Sequence, residues 1–219
     1  MSVLQYQTVE QETSCEYIEK KSRFIAYVKP VSTEEEALAF ISSIKSKHWD
    51  ARHNVYAYCV GLGAEQTQRF SDDGEPQGTA GMPVLDVLRK QQLSNVAVVV
   101  TRYFGGVLLG ASGLVRAYSK SASMGVEASG ILHLQLCQVV KVTVDYGTLG
   151  RMQRELPARG FVIRNIEFDQ NVSLYALVPK QKTGSSSVDD PAIVQFDALV
   201  TELTNGTGCT EPMEVLYCK

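Results

Sequence analysis

The chain has 219 residues, of which 44% are hydrophobic and 21% are charged, and its 21 basic and 24 acidic residues leave a net charge of −3. This balance is typical of an ordinary globular protein and excludes disordered, collagen-like and membrane-spanning classes, while the length allows one large domain or two small ones. The first twenty residues carry four glutamates and no apolar core, so we expect no targeting peptide, no membrane association and a cytoplasmic location.

Cysteine and histidine are few and scattered. The five cysteines are odd in number and include no C-x-x-C pair, which suggests neither a disulfide framework nor a zinc ribbon. The three histidines have no spacing that would place two ligands on one face of a helix or strand. We therefore expect no bound metal and no other cofactor.

Extended and helical patterns alternate in the first part of the chain. Strands are predicted at 22–28 and 54–60, and between them a helix is expected from Ser32 or Thr33, with a capping box between Ser32 and Glu35. The expected buried stripe of this helix is Ala37, Phe40, Ile41 and Ile44.

A polar, glycine-rich stretch at 69–81 fits neither the helical nor the extended period, and is predicted to be a loop. A short helix at 83–92 and a strand at 95–101 follow, and the nearly continuous β-branched residues of this strand suit burial on both faces. A turn at 104–113 then leads into a long helix that ends near Gly130.

The part of the chain beyond Gly130 predicts a β-α-β-β-α-β order, which is that of the ferredoxin-like fold. We therefore predict two domains, 1–133 and 134–219. The second helix of the later domain has acidic cap candidates at Asp189 and Asp190 and starts at Pro191. The predicted elements are strand 139–144, helix 146–156, strands 161–168 and 172–179, a helix after Asp190, and strand 214–217.

The glycine-rich turn between the buried strand and the long helix is the first segment that could carry chemistry. Such a turn exposes backbone N–H groups and the positive end of the helix dipole, which together form a seat for a phosphate. Ala111 stands where a P-loop would have its lysine, so a P-loop nucleotidase is disfavoured. The alternative is that the glycines only permit close packing. The predicted phosphate-binding residues are Arg102, Gly105, Gly106, Gly110, Ser112, Gly113 and Arg116.

The predicted loop also carries three carboxylates within four residues, Asp72, Asp73 and Glu75. They could hold Mg²⁺ or act as acid and base, and a metal-dependent hydrolase that also uses His53 is one alternative. Asp and Gly are common turn residues, however, and Asp72 and Asp73 could pair with Arg102 or Arg116. We favour a latch or ligand gate, formed by Arg52, His53, Asp72, Asp73, Glu75 and Thr79.

In the second predicted domain, Arg151 and Arg154 share a helical face. They could contact RNA phosphates, or they could form a solvated face without a partner. No aromatic RNA-binding motif accompanies them, so base stacking is not predicted in this domain.

Four segments, in this order, resemble the IMPACT/YigZ family: KSRFIA at 21–26, DARHN at 50–54, FSDDGEPQGTAG at 70–81 and VVTRYFGGVLLG at 99–110. The resemblance covers both predicted domains. It implies an α+β protein with an N-terminal α/β sandwich like domain 2 of ribosomal protein S5. The implied C-terminal domain is ferredoxin-like and similar to domains of elongation factor G.

The resemblance also implies a role, because both structural relatives act on the ribosome. Eukaryotic members of the family are linked to translational control through an activator of a starvation-sensing kinase. We therefore expect a translation-associated regulatory factor that binds RNA, the ribosome or a phosphate-bearing ligand, rather than an enzyme. The alternative is an enzyme that binds a small phosphate compound or nucleotide at the glycine-rich helix N-terminus. The sequence identifies no protein partner.

Overall fold

The computed structural model describes residues 3–181 and 190–219. The chain divides into two compact units, Met1–His133 and Leu134–Lys219, each with its own apolar core. Both units combine helices with antiparallel sheet, which confirms the expected α+β class with two domains. Within the described ranges no helix is both long enough and apolar enough to cross a membrane.

The first unit is built on a five-stranded antiparallel sheet. Its elements in chain order are β1 (Gln5–Val9), β2 (Thr13–Glu19), β3 (Ser22–Pro30), α1 (Glu34–Lys47), β4 (His53–Val60), β5 (Thr67–Ser71), α2 (Gly81–Lys90), β6 (Val96–Tyr103) and α3 (Gly110–Ser129). The strand order in the sheet is β2-β3-β6-β4-β5. Helix α1 covers one face of the sheet, and α2 and α3 cover the other.

Strand β6 is buried on both faces, as its β-branched sequence predicted. Val98 and Val100 pack with α2 and α3, while Ala97 and Val99 pack with α1. Successive side chains of a strand point to opposite faces, so Arg102 follows Val98 and Val100 onto the α2–α3 side. This alternation places a charged group beneath α3.

Helix α1 has the predicted buried stripe, but its cap lies one residue later than expected. The Thr33 side chain accepts a hydrogen bond from the Glu36 N–H (3.2 Å), and the Glu36 carboxylate accepts one from the Ser32 N–H (2.7 Å). The capping pair is therefore Thr33 with Glu36, and the predicted pairing of Ser32 with Glu35 is wrong.

The predicted loop at 69–81 is too long at both ends. Residues 69–71 complete β5, and α2 begins at Gly81, two residues before the predicted start at Pro83. Strand β5 lies at the sheet edge and pairs only with β4 within the described sheet. Its residues are half-buried or exposed, so hydrophobic periodicity carried no signal there. The same reason explains why β2, an edge strand of alternating half-buried and exposed residues, was not predicted.

The second unit has the predicted order of elements. They are β7 (Ile131–Val144), α4 (Tyr146–Ala158), β8 (Val162–Phe168), β9 (Val172–Pro179), α5 (Pro191–Leu203) and β10 (Cys209–Cys218). The strands pair antiparallel in the order β10-β7-β9-β8, which is the ferredoxin-like arrangement. Met152 of α4 and Phe196 of α5 are fully buried against one face of this sheet.

Two local features of the second unit bear on the sequence expectations. Asp190 caps α5 by accepting a hydrogen bond from the Ala192 N–H (3.1 Å), whereas the other cap candidate, Asp189, lies outside the described residues. A disulfide joins Cys137 of β7 to Cys218 of β10, 81 residues later. The scattered cysteine spacing did not indicate this bond, because only the pairing of β7 with β10 brings the two residues together.

Candidate functional site

Hydrogen bonds fix the acidic loop between β5 and α2, and the first of its three carboxylates, Asp72, accepts several of them. The Asp72 carboxylate accepts bonds of 2.8 to 3.0 Å from three backbone N–H groups at the start of α2, those of Gly78, Ala80 and Gly81. Gly81 is the first residue of α2, so Asp72 satisfies one N–H group of its first turn and two N–H groups of the turn that leads into the helix. Thr79 is buried, and its hydroxyl donates to the Pro76 carbonyl (2.7 Å), which closes the turn.

Asp73 ties the same loop to α1 and β4. Its carboxylate accepts hydrogen bonds from the Lys45 ammonium (2.7 Å) and from the Asn54 N–H (2.6 Å). Its carbonyl pairs with Nδ1 of His53 (2.9 Å). Because a carbonyl only accepts, Nδ1 is the protonated nitrogen of this imidazole.

The third carboxylate, Glu75, is buried at the centre of the site. Its Oε1 accepts hydrogen bonds from Nη1 of Arg102 (2.6 Å) and from the hydroxyl of Tyr118 on α3 (2.8 Å). Nε2 of His53 lies 4.0 Å from the same oxygen. Desolvation, and then the nearby Glu75 carboxylate, raise the pKa of Tyr118, so its hydroxyl remains a neutral donor. Sequence reasoning missed Tyr118, because it lies on the buried face of a helix and is indistinguishable there from an ordinary core residue.

The three carboxylates of the loop therefore bind three different sets of donors. No group of three or more His, Cys, Asp or Glu side chains able to hold a metal ion lies within residues 3–181 and 190–219. These hydrogen bonds hold the loop around Arg102, and we refer to the hydrogen-bonded loop as the latch. Because each carboxylate is bound by protein donors, the geometry does not favour the metal-dependent hydrolase. The last residue of the predicted latch, Arg52, is exposed and contributes no hydrogen bond or ion pair in the described part of the chain.

Arg102 and Arg116 do not form the shared anion site that the sequence predicted. Arg102 is buried, because the alternation of β6 turns it toward α3, and its guanidinium is bound to Glu75. Arg116 is exposed on α3 and lines a small cavity of about 160 Å³ together with Lys20 and Lys120. Arg102 therefore belongs to the latch, and only Arg116 remains free to meet a ligand.

Four lysine and arginine side chains form what we call the α3 cationic surface: Lys20, Lys21, Arg116 and Lys120. Lys20 and Lys21 make the turn between β2 and β3 with left-handed backbone angles (φ 45° and 65°). None of the four lies within ion-pair distance of a carboxylate in the described ranges. The cavity itself has one carboxylate, that of Glu19, which accepts a hydrogen bond from Tyr17 (2.6 Å).

The glycine-rich turn touches this surface at Gly105. A Cβ atom at this position would lie 2.0 Å from the carbonyl carbon of Lys21, so only glycine fits. The Gly105 N–H donates to the Ser22 hydroxyl (3.2 Å). Close packing, the alternative considered for these glycines, therefore explains Gly105, and it places the turn directly beside Lys21.

The predicted phosphate seat at the start of α3 is open. Gly106 and Gly110 have positive φ angles (84° and 71°), and α3 begins at Gly110 without a side-chain cap or an acidic residue in its first turn. Ser112 is exposed, whereas Gly113 is buried and lines the cavity beside Arg116. The free N–H groups of this turn add to the positive potential of the α3 cationic surface.

Arg151 and Arg154 of the second unit lie in different environments. Nη1 of Arg151 donates to the Leu203 carbonyl (2.9 Å) at the C-terminal end of α5. The side chain of Arg154 is 73% exposed and lies 3.3 Å from the Glu155 carboxylate. Arg151 thus helps to join α4 to α5, while Arg154 faces solvent.

The fold and the site define the class of this protein: it is a two-domain α+β protein whose first unit carries a latched acidic loop and a cationic helix surface. Comparison with known proteins gives the family. Residues 20–126 match the Impact N-terminal domain, and residues 142–185 match a domain of unknown function, DUF1949. The chain belongs to the IMPACT family.

Similar proteins cover nearly the whole chain. It is 41% identical over 212 residues to IMPACT family member YvyE of Bacillus subtilis, covering 97% of this chain and 93% of that protein. It is 47% identical over 189 residues to IMPACT family member YigZ of Escherichia coli, covering 86% and 88%. A crystal structure described as that of a hypothetical protein covers 97% of this chain and 99% of that one, with a TM-score of 0.59 and 28% identity.

Proposed function

We propose that this IMPACT family member is a cytoplasmic, translation-associated regulatory factor that binds RNA, free or within the ribosome, through the α3 cationic surface. Membership of the family supports the link to translation, since the resemblance implies such a role. The observation that carries the proposal is that the cavity is lined by three cations, Lys20, Arg116 and Lys120, with no carboxylate within ion-pair distance in the described part of the chain. Lys21 follows Lys20 in the same turn and also has no such partner there.

The location of these charges matters more than their number, because the chain as a whole is acidic. With a net charge of −3, its overall field does not attract a polyanion. Around the cavity, three cations face a single carboxylate, which leaves an excess of two positive charges, and Lys21 follows Lys20 in the same turn. Each phosphate neutralised by such a cation releases counterions, which makes the binding favourable and dependent on salt.

A small phosphate compound is the second candidate ligand. The volume of the cavity can be compared with the volume of pockets that enclose such compounds. Its volume of about 160 Å³ corresponds to roughly five water molecules at about 30 Å³ each. This accommodates a phosphate group but lies below the roughly 300 to 1,000 Å³ of pockets that enclose whole ligands. The cavity thus suits the phosphates of a polymer better than a nucleotide held for catalysis.

The second unit offers a further candidate contact in Arg154, whose exposed guanidinium can reach a phosphate. Arg151 is the weaker candidate, because one of its nitrogens is already bound to the Leu203 carbonyl. We propose this contact as an addition to the α3 cationic surface and not as a replacement for it.

The test is co-sedimentation with ribosomes, together with RNA binding by fluorescence anisotropy at about 50 and 200 mM salt. The proposal expects that Arg116→Ala/Lys120→Ala weakens binding and reduces the salt dependence by about one to two phosphate contacts. The matched control, Arg52→Ala/Arg69→Ala, also removes two exposed charges, but from the residue before β4 and from β5. Equal losses in both double variants, or no binding by the unmodified protein, would overturn the proposal.

A further inference from the structure

We infer that the RNA bound at the α3 cationic surface is single-stranded and that the ring of Phe104 stacks on one of its bases. This inference rests on the proposed function and names the class of nucleic acid that the site takes. It arises from an aromatic ring that the phosphate-binding role of the site does not use.

Phe104 is half exposed (50%) in the turn between β6 and α3, although a phenyl ring is normally buried. The guanidinium carbon of Arg102 lies over this ring, 5.6 Å from its centre. Arg102 is in turn held by the buried carboxylate of Glu75. The ring thus rests on a cation whose own position is fixed, which is a favourable and pre-organised arrangement for an aromatic side chain.

The neighbourhood of Phe104 fits a nucleotide chain. The next residue, Gly105, packs on the backbone of Lys21, so the turn that carries the ring lies beside the turn that carries Lys20 and Lys21. A base on the ring and its phosphate on Lys21 or Lys20 would make the two contacts that proteins combine when they bind single strands: stacking of bases and neutralisation of the backbone.

The geometry favours a single strand over a duplex, because stacking needs a free base face. In an RNA duplex the faces are covered by neighbouring base pairs, and only edges, hydroxyls and phosphates are accessible. Leu108, in the same turn, is more exposed (83%) but has no ring and cannot stack. It therefore provides an internal control for a merely apolar contact.

The experiment measures anisotropy with a labelled single-stranded 12-nucleotide oligouridine and with a 12-base-pair RNA duplex, at one low salt concentration. We expect the single strand to bind at least tenfold more tightly than the duplex. We expect Phe104→Ala to lose about tenfold in affinity for the single strand, in line with the usual contribution of one stacked base. Duplex binding and the salt slope should not change in this variant.

Further variants separate stacking from other causes. Phe104→Trp keeps a ring and should retain the affinity, whereas Phe104→Leu keeps an apolar side chain without a ring and should lose it. Leu108→Ala should remain within twofold of the unmodified protein. A thermal melt of each variant shows that it is folded, which is expected because both side chains are at the surface.

The outcomes distinguish this inference from the proposed function. If the unmodified protein binds neither RNA, the proposed function is wrong and the inference falls with it. If Arg116→Ala/Lys120→Ala weakens binding while single strand and duplex bind equally, the inference alone is wrong. It is also wrong if Phe104→Leu retains full affinity, or if Leu108→Ala loses as much as Phe104→Ala.

Discussion

The Glu75 carboxylate accepts a 2.6 Å hydrogen bond from the Arg102 guanidinium, and both side chains are buried, with Glu75 only 4% exposed and Arg102 only 7% exposed. The acidic loop and the central strand are thus joined by a buried ion pair, to which Tyr118 adds a second donor. Removing one partner of such a pair leaves a charge that is both desolvated and uncompensated. The ion pair therefore contributes to stability and also holds the guanidinium that lies over the Phe104 ring.

Replacing Glu75 by alanine should destabilise the protein by about 3 to 5 kcal/mol, because it leaves Arg102 buried without its counter-charge. Tyr118→Phe removes one neutral donor from this charged carboxylate and should cost about 1.5 to 3 kcal/mol. Urea denaturation of the three proteins measures both values. A Glu75→Ala cost no larger than that of Tyr118→Phe would show that the ion pair does not have the expected role.

Stability should fall as the pH drops below about 6.5, and His48 should account for part of this loss. Burial, followed by the nearby Lys47, lowers the pKa of His48 from its ordinary value of 6.5. Its nitrogens lie 2.6 Å from the Tyr27 hydroxyl and 2.9 Å from the Tyr103 hydroxyl. The unfolded chain takes up the proton first, so acid favours unfolding, by at most about 1.4 kcal/mol per pH unit.

Urea denaturation at several pH values between 4 and 8 measures this dependence. His48→Gln should reduce the slope below pH 6.5, while replacement of the exposed His133 by glutamine should leave it in place. An unchanged slope in His48→Gln would assign the acid sensitivity to other groups.

The free thiols should react in the order of their exposure. Cys59 is fully buried, and desolvation raises its pKa to about 11, whereas Cys209 is exposed. Only the thiolate is nucleophilic, so iodoacetamide at pH 8 should modify Cys209 and leave Cys59 unmodified until urea is added. Peptide mass spectrometry gives the extent at each site, and early modification of Cys59 in the native protein would contradict the structure.

Two glycine-to-alanine changes should act in opposite directions. Gly105→Ala places a Cβ against the Lys21 backbone and should destabilise the protein and weaken RNA binding. Gly150 lies inside α4 with nothing within 4 Å of a built Cβ, so Gly150→Ala should stabilise the protein by about 0.5 to 1 kcal/mol. Thermal melts measure both. If Gly105→Ala were as stable as the unmodified protein, the packing of the turn on β3 would be wrong.

The two arginines of α4 should respond differently to substitution. Arg151→Ala removes a bond to the end of α5 and should lower the free energy of unfolding by about 1 kcal/mol. Arg154→Ala should leave stability within about 0.5 kcal/mol but weaken RNA binding uniformly across sequences. Urea denaturation and anisotropy separate the two effects, and unchanged RNA binding in Arg154→Ala would make that residue a solvated surface charge.

The second unit shows how much the sequence determines when burial is one-sided. Apolar residues that alternate along β9 and recur along α4 predicted these elements, and β9 was predicted at its exact bounds, Val172–Pro179. The pattern predicts these elements because each of them buries one face, so apolar residues recur along the sequence with the period of the helix or strand. Strands β2 and β5 lie at sheet edges and contain no fully buried residue, so their periods were not visible.

The sequence predicted which segments contribute to the candidate site, but not which of their side chains contact one another. The sequence identified the acidic loop, Arg102 and the glycine-rich turn, but paired Arg102 with Arg116 and left Tyr118 among the core residues. Glu75 reaches Arg102 across 27 residues and Tyr118 across 43. Local periodicity indicates which face of a strand or helix is buried. Which distant side chains meet on that face depends on how the elements pack, and only the tertiary structure decided it.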